Sequence, residues 1–167
     1  FCIKFDDALN CKKLEIEKLI TDNPIKEKLA EILDSNVGNS FSSSELEKIY
    51  QEGALRFQDK IPPGYKDEKN KKGNDKYGDL VIWKEILKLT KEKNANIILV
   101  SGDVKEDWFL IHFGKTVGPR PELVHEFKEN NESLFYIYPT NQFLEFSNQY
   151  LSTSIDKEIL DEVGKVM

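Results

Sequence analysis

The sequence predicts an α/β fold with a parallel sheet, and three observations carry that reading. Helical spacing dominates the first third of the chain, two short apolar runs follow at residues 96–101 and 134–138, and helical patterns alternate with those runs. Strands alternating with helices indicate parallel pairing, because a parallel connection needs a crossover. The elements follow in order. Leu14, Ile16, Leu19 and Ile20 give a rough apolar face in a Lys/Glu-rich run, and Asn23-Pro24 reads as an N-cap with proline in the first helical position. Leu29, Ile32 and Leu33 continue that helix, and Gly38 follows its end. Ser44 and Glu47 have capping-box spacing, and Leu46, Ile49, Tyr50, Ala54 and Phe57 keep helical phase until Pro62-Pro63 forbids continuation.

Residues 60–76 hold six lysines against three acids, with two prolines and two glycines. This is a long basic loop, and loops of that length in compact domains are often functional. Leu80, Trp83 and Leu87 then share a helix face. Within 96–101 the run between Asn96 and Ser101 is continuously apolar, the pattern of a strand buried on both faces. Residues 109–113 form a short extended piece, 121–130 a helix, 134–138 a second strand, and 141–151 and 155–166 two closing helices. There is no internal repeat.

Length and composition bound the function. The chain has 167 residues, 39% apolar and 32% charged, which is one domain's worth of globular sequence. No stretch approaches the roughly 20 apolar residues that cross a bilayer, so no membrane partner is expected. The net charge is −6, so affinity for nucleic acid must be local. Two cysteines, Cys2 and Cys11, make neither a disulfide framework nor a CxxC motif, and a cytoplasmic setting is expected. The first residue is Phe1, which reads as the start of a fragment.

Ligands of open α/β sheets bind beyond the carboxyl ends of the strands. The first apolar run ends in Ser101-Gly102-Asp103, with Asp107 four residues on, and Asp79 opens the helix after Tyr77-Gly78. Asp79 serves equally as an N-cap, Asp103 as a turn residue, and Asp107 as a partner of Lys105. Convergence would change their meaning. Two carboxylates about 4 Å apart repel by about 4 kcal/mol at an effective dielectric near 20, a cost relieved by protons or by a divalent cation. Mg²⁺ and Mn²⁺ favour such oxygen donors, and pairs of these ions roughly 3.5–4 Å apart cleave phosphodiesters. Lys66, Lys69, Lys71 and Lys72 would then meet flanking phosphates. Arg56 and Arg120 are the two arginines beside 22 lysines, each open to an ion-pair or a phosphate role.

Other chemistries fit poorly. Gly73 to Gly78 imitates P-loop spacing, but Asp79-Leu80 stand where Lys and Ser/Thr belong. His125-Glu126 begins a zincin motif without its second histidine, and neither GxSxG nor a Cys/His nucleophile pair is present. Trp83 and Trp108 are read as core, and His112 and His125 as packing or surface residues.

Arg56, the Ile61-Pro-Pro-Gly-Tyr-Lys-Asp67 segment with Lys69, Tyr77-Gly-Asp-Leu-Val-Ile-Trp83, Val100-Ser-Gly-Asp103, Lys105-Glu-Asp-Trp108 and Gly118-Pro-Arg-Pro-Glu-Leu-Val124 with Glu126-Phe127 occur in that order. Together they closely resemble a PIN-like domain family of the PIN nuclease superfamily, over about residues 52–150. The resemblance implies a Rossmann-like three-layer α/β/α sandwich with a mostly parallel sheet and an N-terminal helical segment. It divides residues 1–167, one partial domain, into a helical insertion (1–59), the basic loop (60–78), the α/β core (79–151) and a C-terminal helix (152–167). It further implies a metal-dependent nuclease, with RNA ahead of DNA as substrate. Asp79, Asp103 and Asp107 would be the catalytic and metal-binding acids, Asp67 a further ligand, and Mg²⁺ or Mn²⁺ the cofactor. The superfamily also uses an Asp at the end of its first strand and a Glu on a following helix. Asp6-Asp7-Ala8 follows no apolar strand, so that first strand and both acids are expected upstream of Phe1. The alternative is an inactive module that binds nucleic acid or a protein partner.

Overall fold

A computed structural model of the chain describes residues 23–33, 38–130 and 132–166. The helical pattern at residues 14–20, both cysteines and Asp6-Asp7 lie outside them. Packing divides the chain into two units, Phe1–Ser40 and Phe41–Met167. In the first, helix α1 (Pro24–Leu33) starts as the Asn-Pro pair predicts, with the Lys26 N–H donating to Asn23 Oδ1 at 3.1 Å.

The second unit opens with α2 (Ser43–Gln58). Its cap is Ser42, two residues before the expected Ser44: the Ser42 N–H donates to Glu45 Oε2 at 2.7 Å, and the Glu45 N–H returns to Ser42 Oγ at 3.4 Å. Both serines have capping-box spacing to a glutamate. Phe41, packed against the core, anchors the earlier start. The inward face of α2 is Ile49, Gly53, Arg56 and Phe57. Gly53 admits the ring of Tyr77, which stacks with Tyr50 at 5.7 Å and meets Phe57 at 5.2 Å.

The basic loop is ordered by a buried Pro62-Pro63 pair, joined by a cis peptide, and by two short 3-10 turns, Tyr65–Lys69 and Gly73–Tyr77. Helix α3 (Gly78–Lys93) follows, with Leu80 and Trp83 fully buried, and closes on left-handed Asn94. Strand β1 (Ile97–Ser101) pairs in parallel with β4 (Phe135–Pro139), from Ile97 opposite Phe135 to Ser101 opposite Pro139. Between them come β2 (Phe109–His112), β3 (Lys115–Pro119) and α4 (Pro121–Asn130). Helices α5 (Thr140–Tyr150) and α6 (Lys157–Val166) close the chain.

One expectation is corrected and another is extended. Strand β1 is not buried on both faces: Ile97 and Leu99 pack on the core, while Ile98 is 58% exposed. Its apolar run reads as continuous because Ile98 and Val100 are apolar too, although only the alternate residues are enclosed. The 109–113 piece is the first half of an antiparallel hairpin, turned at Phe113 and Gly114, both with positive φ. Its second strand contains Gly118 and Pro119, residues depleted in strands, which hid it.

One sheet face, Ile97, Leu99, Phe135 and Ile137, packs with Leu80 and Trp83 of α3 and with Leu123 and Phe127 of α4. Burying such side chains contributes about 1.5–3 kcal/mol each. Phe143 and Phe146 of α5 meet Tyr138 of β4. Among the described residues no helix is long and apolar enough to cross a membrane.

Candidate functional site

The segment leaving β1 gathers the signature acids. Ser101 Oγ accepts the Asp103 N–H at 3.0 Å, and Asp103 Oδ1 accepts the Lys105 N–H at 3.0 Å, a local turn that fixes Asp103 at the strand end. Lys105 then reaches across. Its Nζ lies 2.8 Å from Asp103 Oδ2 and 2.8 Å from Asp67 Oδ1. Asp67 is buried in the first 3-10 turn of the loop, and its other oxygen pairs with Lys71. Burial opposes ionisation of Asp67, but Lys105 and Lys71 outweigh it and hold its carboxyl below the ordinary value. Burial likewise opposes the charge on Lys105, and Asp103 and Asp67 reverse that, holding its ammonium well above its ordinary value.

Asp107 is fully buried, and its Oδ2 accepts the backbone N–H groups of Gly64 at 3.1 Å and Lys66 at 3.2 Å. It therefore ties the loop to the strand end. Burial pushes its carboxyl up, partly offset by the Lys66 N–H. Trp108, next in sequence, donates from Nε1 to Asp79 Oδ2 at 3.1 Å. Asp79 is half-buried; burial raises its carboxyl, the Trp108 bond opposes this, and the charges of Asp67 and Asp103 add to it. Gly64 packs against this acid: its φ is +90°, and a Cβ there would lie 3.0 Å from the Cβ of Asp79. Only glycine meets both demands.

The predicted site residues thus separate into groups. Asp67, Asp103 and Lys105 form one ion-paired cluster, and Asp79 lies within electrostatic reach of both acids. Asp107 acts as a fastener rather than as a free ligand. Among the described residues no three histidine, cysteine, aspartate or glutamate side chains are placed to hold a metal ion. The donors are hard oxygens of the type Mg²⁺ and Mn²⁺ use, but as arranged they do not fit such an ion, because an ammonium already occupies the space between two of them.

The basic residues also divide. Lys66 pairs with Glu106 and Lys71 with Asp67, while Lys69 and Lys72 are exposed and without ion-pair partners among the described residues. Arg120 is engaged by Glu122, which raises its guanidinium, and the Arg120 backbone N–H donates to the Trp108 carbonyl at 2.9 Å. Arg56, a candidate for phosphate contact, lies inside the protein. It bonds Glu52 and both carboxylate oxygens of Glu126, and it donates to the carbonyl of Pro62. Glu126 also accepts from Trp83 Nε1 at 3.1 Å. This network braces the proline turn against α4.

Sequence reasoning missed the site contacts of three residues. Lys105 was a candidate partner of Asp107 but pairs with Asp103 and Asp67, Trp108 is the core residue expected and also bonds Asp79, and Gly64 was a loop glycine. The signal available for Lys105 was its two-residue spacing from Asp103, which lets backbone and side chain engage the same carboxylate.

Compared with known proteins, the chain matches the family profile described as a PIN-like domain over residues 4–123. The match begins well before the region of resemblance read from the motifs, and it takes in the N-terminal segment. No curated protein and no solved structure matches the chain.

Proposed function

This chain belongs to the PIN-like domain family, and from that premise we propose that it acts on the phosphodiester backbone of nucleic acid as a metal-dependent nuclease, with RNA as the substrate. The observation that carries this reading is the convergence built by residues 103–108. Asp103, Lys105, Asp107 and Trp108 reach Asp67, Asp79 and the Gly64–Lys66 backbone, joining three separate signatures at one strand end. The proposal includes the three-layer sandwich of the superfamily and Mg²⁺ or Mn²⁺ as cofactor, an ion that the described carboxylates as arranged do not hold by themselves.

Each residue takes a role that its surroundings favour. Asp103 and Asp79 are the half-buried acids, open enough to meet a ligand. Burial raises the Asp79 carboxyl, and one of its oxygens accepts from Trp108 Nε1. Asp107 positions the loop, and Lys69 and Lys72, without ion-pair partners among the described residues, offer their ammonium groups to flanking phosphates. The test is Asp103→Asn assayed for divalent-dependent RNA cleavage. The expected result is a loss of at least about a hundredfold, the scale of one essential group. Cleavage at the wild-type rate overturns the assignment.

A second reading rests on one observation, the neutralisation of Asp67 and Asp103 by Lys105. It describes a module that binds RNA without turnover. It predicts affinity that falls steeply with salt, and no product with any divalent cation.

A further inference from the structure

The tip of the β2–β3 hairpin carries a side chain that folding does not call for. The turn between His112 and Lys115 is two residues long, and Phe113 and Gly114 both have positive φ, +47° and +72°. Such a turn favours asparagine, aspartate or glycine at its first position, because a bulky residue there is strained. Burial does not offset that strain. Phe113 is 93% exposed, the most exposed large apolar side chain among the described residues. Its ring meets that of His112 at 4.3 Å. The base of the hairpin is anchored: Phe109 is fully buried, and the Arg120 backbone N–H donates to the Trp108 carbonyl. Backbone outliers held by a firm scaffold gather at binding sites.

The surroundings of the ring favour a polyanion. Residues 108–121 contain Lys115 and Arg120 and no acid, in a chain of net charge −6. Glu122 engages Arg120, but Lys115 is exposed and has no ion-pair partner among the described residues. It stands opposite His112 across the turn. Leu110, Ile111 and Val117 are also exposed on the ribbon, apolar surface of the kind a protein would use. The missing acids and the open ammonium favour nucleic acid instead: a base stacks on the aromatic face and a phosphate meets the cation. Only a single strand offers such a base, since in a duplex the faces are already stacked.

The tip also adjoins the acidic site. Ile111, two residues before the ring, lines a groove of about 310 Å³ with Lys66, Asn70, Lys105 and Glu106. Lys66 pairs with Glu106 there, and Lys105 with Asp103 and Asp67, so these cations are already neutralised and the groove is a path rather than an anion site. At about 3.3 Å per residue, Phe113 stands about 7 Å along the strand from Ile111.

We propose that Phe113 and Lys115 form a stacking platform for an unpaired base of single-stranded RNA and guide the adjoining strand along the groove toward Asp103. The proposal rests on the phosphodiester reading of this site and adds the substrate class: a single strand with an open base.

The test is anisotropy titration of the whole chain with a labelled oligouridylate about twelve nucleotides long, in EDTA, so that binding is read without cleavage. Phe113→Asn suits the turn better and is expected to keep or raise the urea midpoint while weakening binding about fivefold or more. Phe113→Trp, which keeps an aromatic face, is expected to bind as the wild type does. Lys115→Gln is expected to lower the slope of log affinity against log salt by about 0.7, and Phe113→Asn to leave that slope unchanged. A folded Phe113→Asn protein that binds as tightly as the wild type overturns the platform and gives the ring to a protein partner. If that variant does not fold, an abasic oligomer of the same length decides on the wild type: equal affinity overturns stacking, and a loss of about fivefold or more supports it. A wild type that does not bind the oligouridylate also overturns the platform. Failure of the platform while Asp103→Asn still abolishes cleavage removes the platform alone. A platform that holds while Asp103→Asn cleaves normally removes the nuclease assignment and leaves the RNA contact.

Discussion

Arg56 and Glu126 lie seventy positions apart in the chain and meet through two parallel hydrogen bonds of 2.9 and 2.7 Å. The same guanidinium donates to the carbonyl of Pro62, so one side chain sets the distance between α2, the proline turn and α4. That turn carries Gly64 and Asp67 into the acidic site.

Arg56→Met is expected to destabilise the protein by about 3 kcal/mol or more, because it leaves Glu126 ionised and partly buried without its main partner. Arg56→Lys should recover only part of the loss, since a single ammonium cannot span both oxygens of Glu126 and the Pro62 carbonyl. Urea unfolding of both variants checks this. A loss below about 1 kcal/mol for Arg56→Met contradicts the role of the brace.

Asp79→Asn should behave in the opposite way. The folded protein raises the Asp79 carboxyl above its unfolded value, through burial first and the charges of Asp67 and Asp103 next. The stability tied to this group is therefore present at low pH and is lost as pH rises from the ordinary carboxylate value through the raised one. An asparagine keeps an acceptor for Trp108 and removes the charge. At pH 7 the variant is expected to match or exceed wild-type stability by up to about 1 kcal/mol, with a flatter dependence on pH across that window. Urea midpoints at several pH values decide it, and a variant markedly weaker at pH 7 contradicts the account. Asp107, raised for the same reason, keeps part of the slope.

Gly53→Ala is a substitution whose sign depends on packing. In an open helix interior it would stabilise by about 1 kcal/mol. Here the added Cβ would lie 2.5 Å from Tyr77 Cδ1 and 2.8 Å from Cε1, and Tyr77 is held between Tyr50 and Phe57. The expected outcome is a net loss of about 1–3 kcal/mol, read as a lower melting temperature.

The lysines of the loop should contribute unequally to RNA affinity. Removing the charges of Lys69 and Lys72 together is expected to lower the slope of log affinity against log salt by about 1 to 2. The same change at Lys66 and Lys71 should do less, because those ammonium groups already face Glu106 and Asp67. Filter binding across a salt series distinguishes the two pairs.

Periodicity made most of the fold legible. Leu80 and Trp83 marked the buried face of α3, and the apolar runs marked the parallel pair, because burial on a regular element repeats in sequence. The second hairpin strand was illegible because its register is set by the turn at Phe113-Gly114 and not by its own composition. Within the site, the motifs placed the acids at a strand end and a helix start. What they could not supply was the pairing: that Asp107 faces backbone amides and that Arg56 faces inward are long-range contacts, with no trace in the neighbouring residues.

The parallel pairing of β1 with β4 has a kinetic consequence. It joins Ile97 to Phe135, with a hairpin and a helix intervening, so the chain must close that long excursion before the strand pair is rewarded with hydrogen bonds. Asp103 sits just beyond the end of β1, and its partners Asp67 and Lys105 are positioned by the layers that this closure stacks together. Until that closure is made, Asp103 lacks the strand end that holds it beside Lys105 and Asp67.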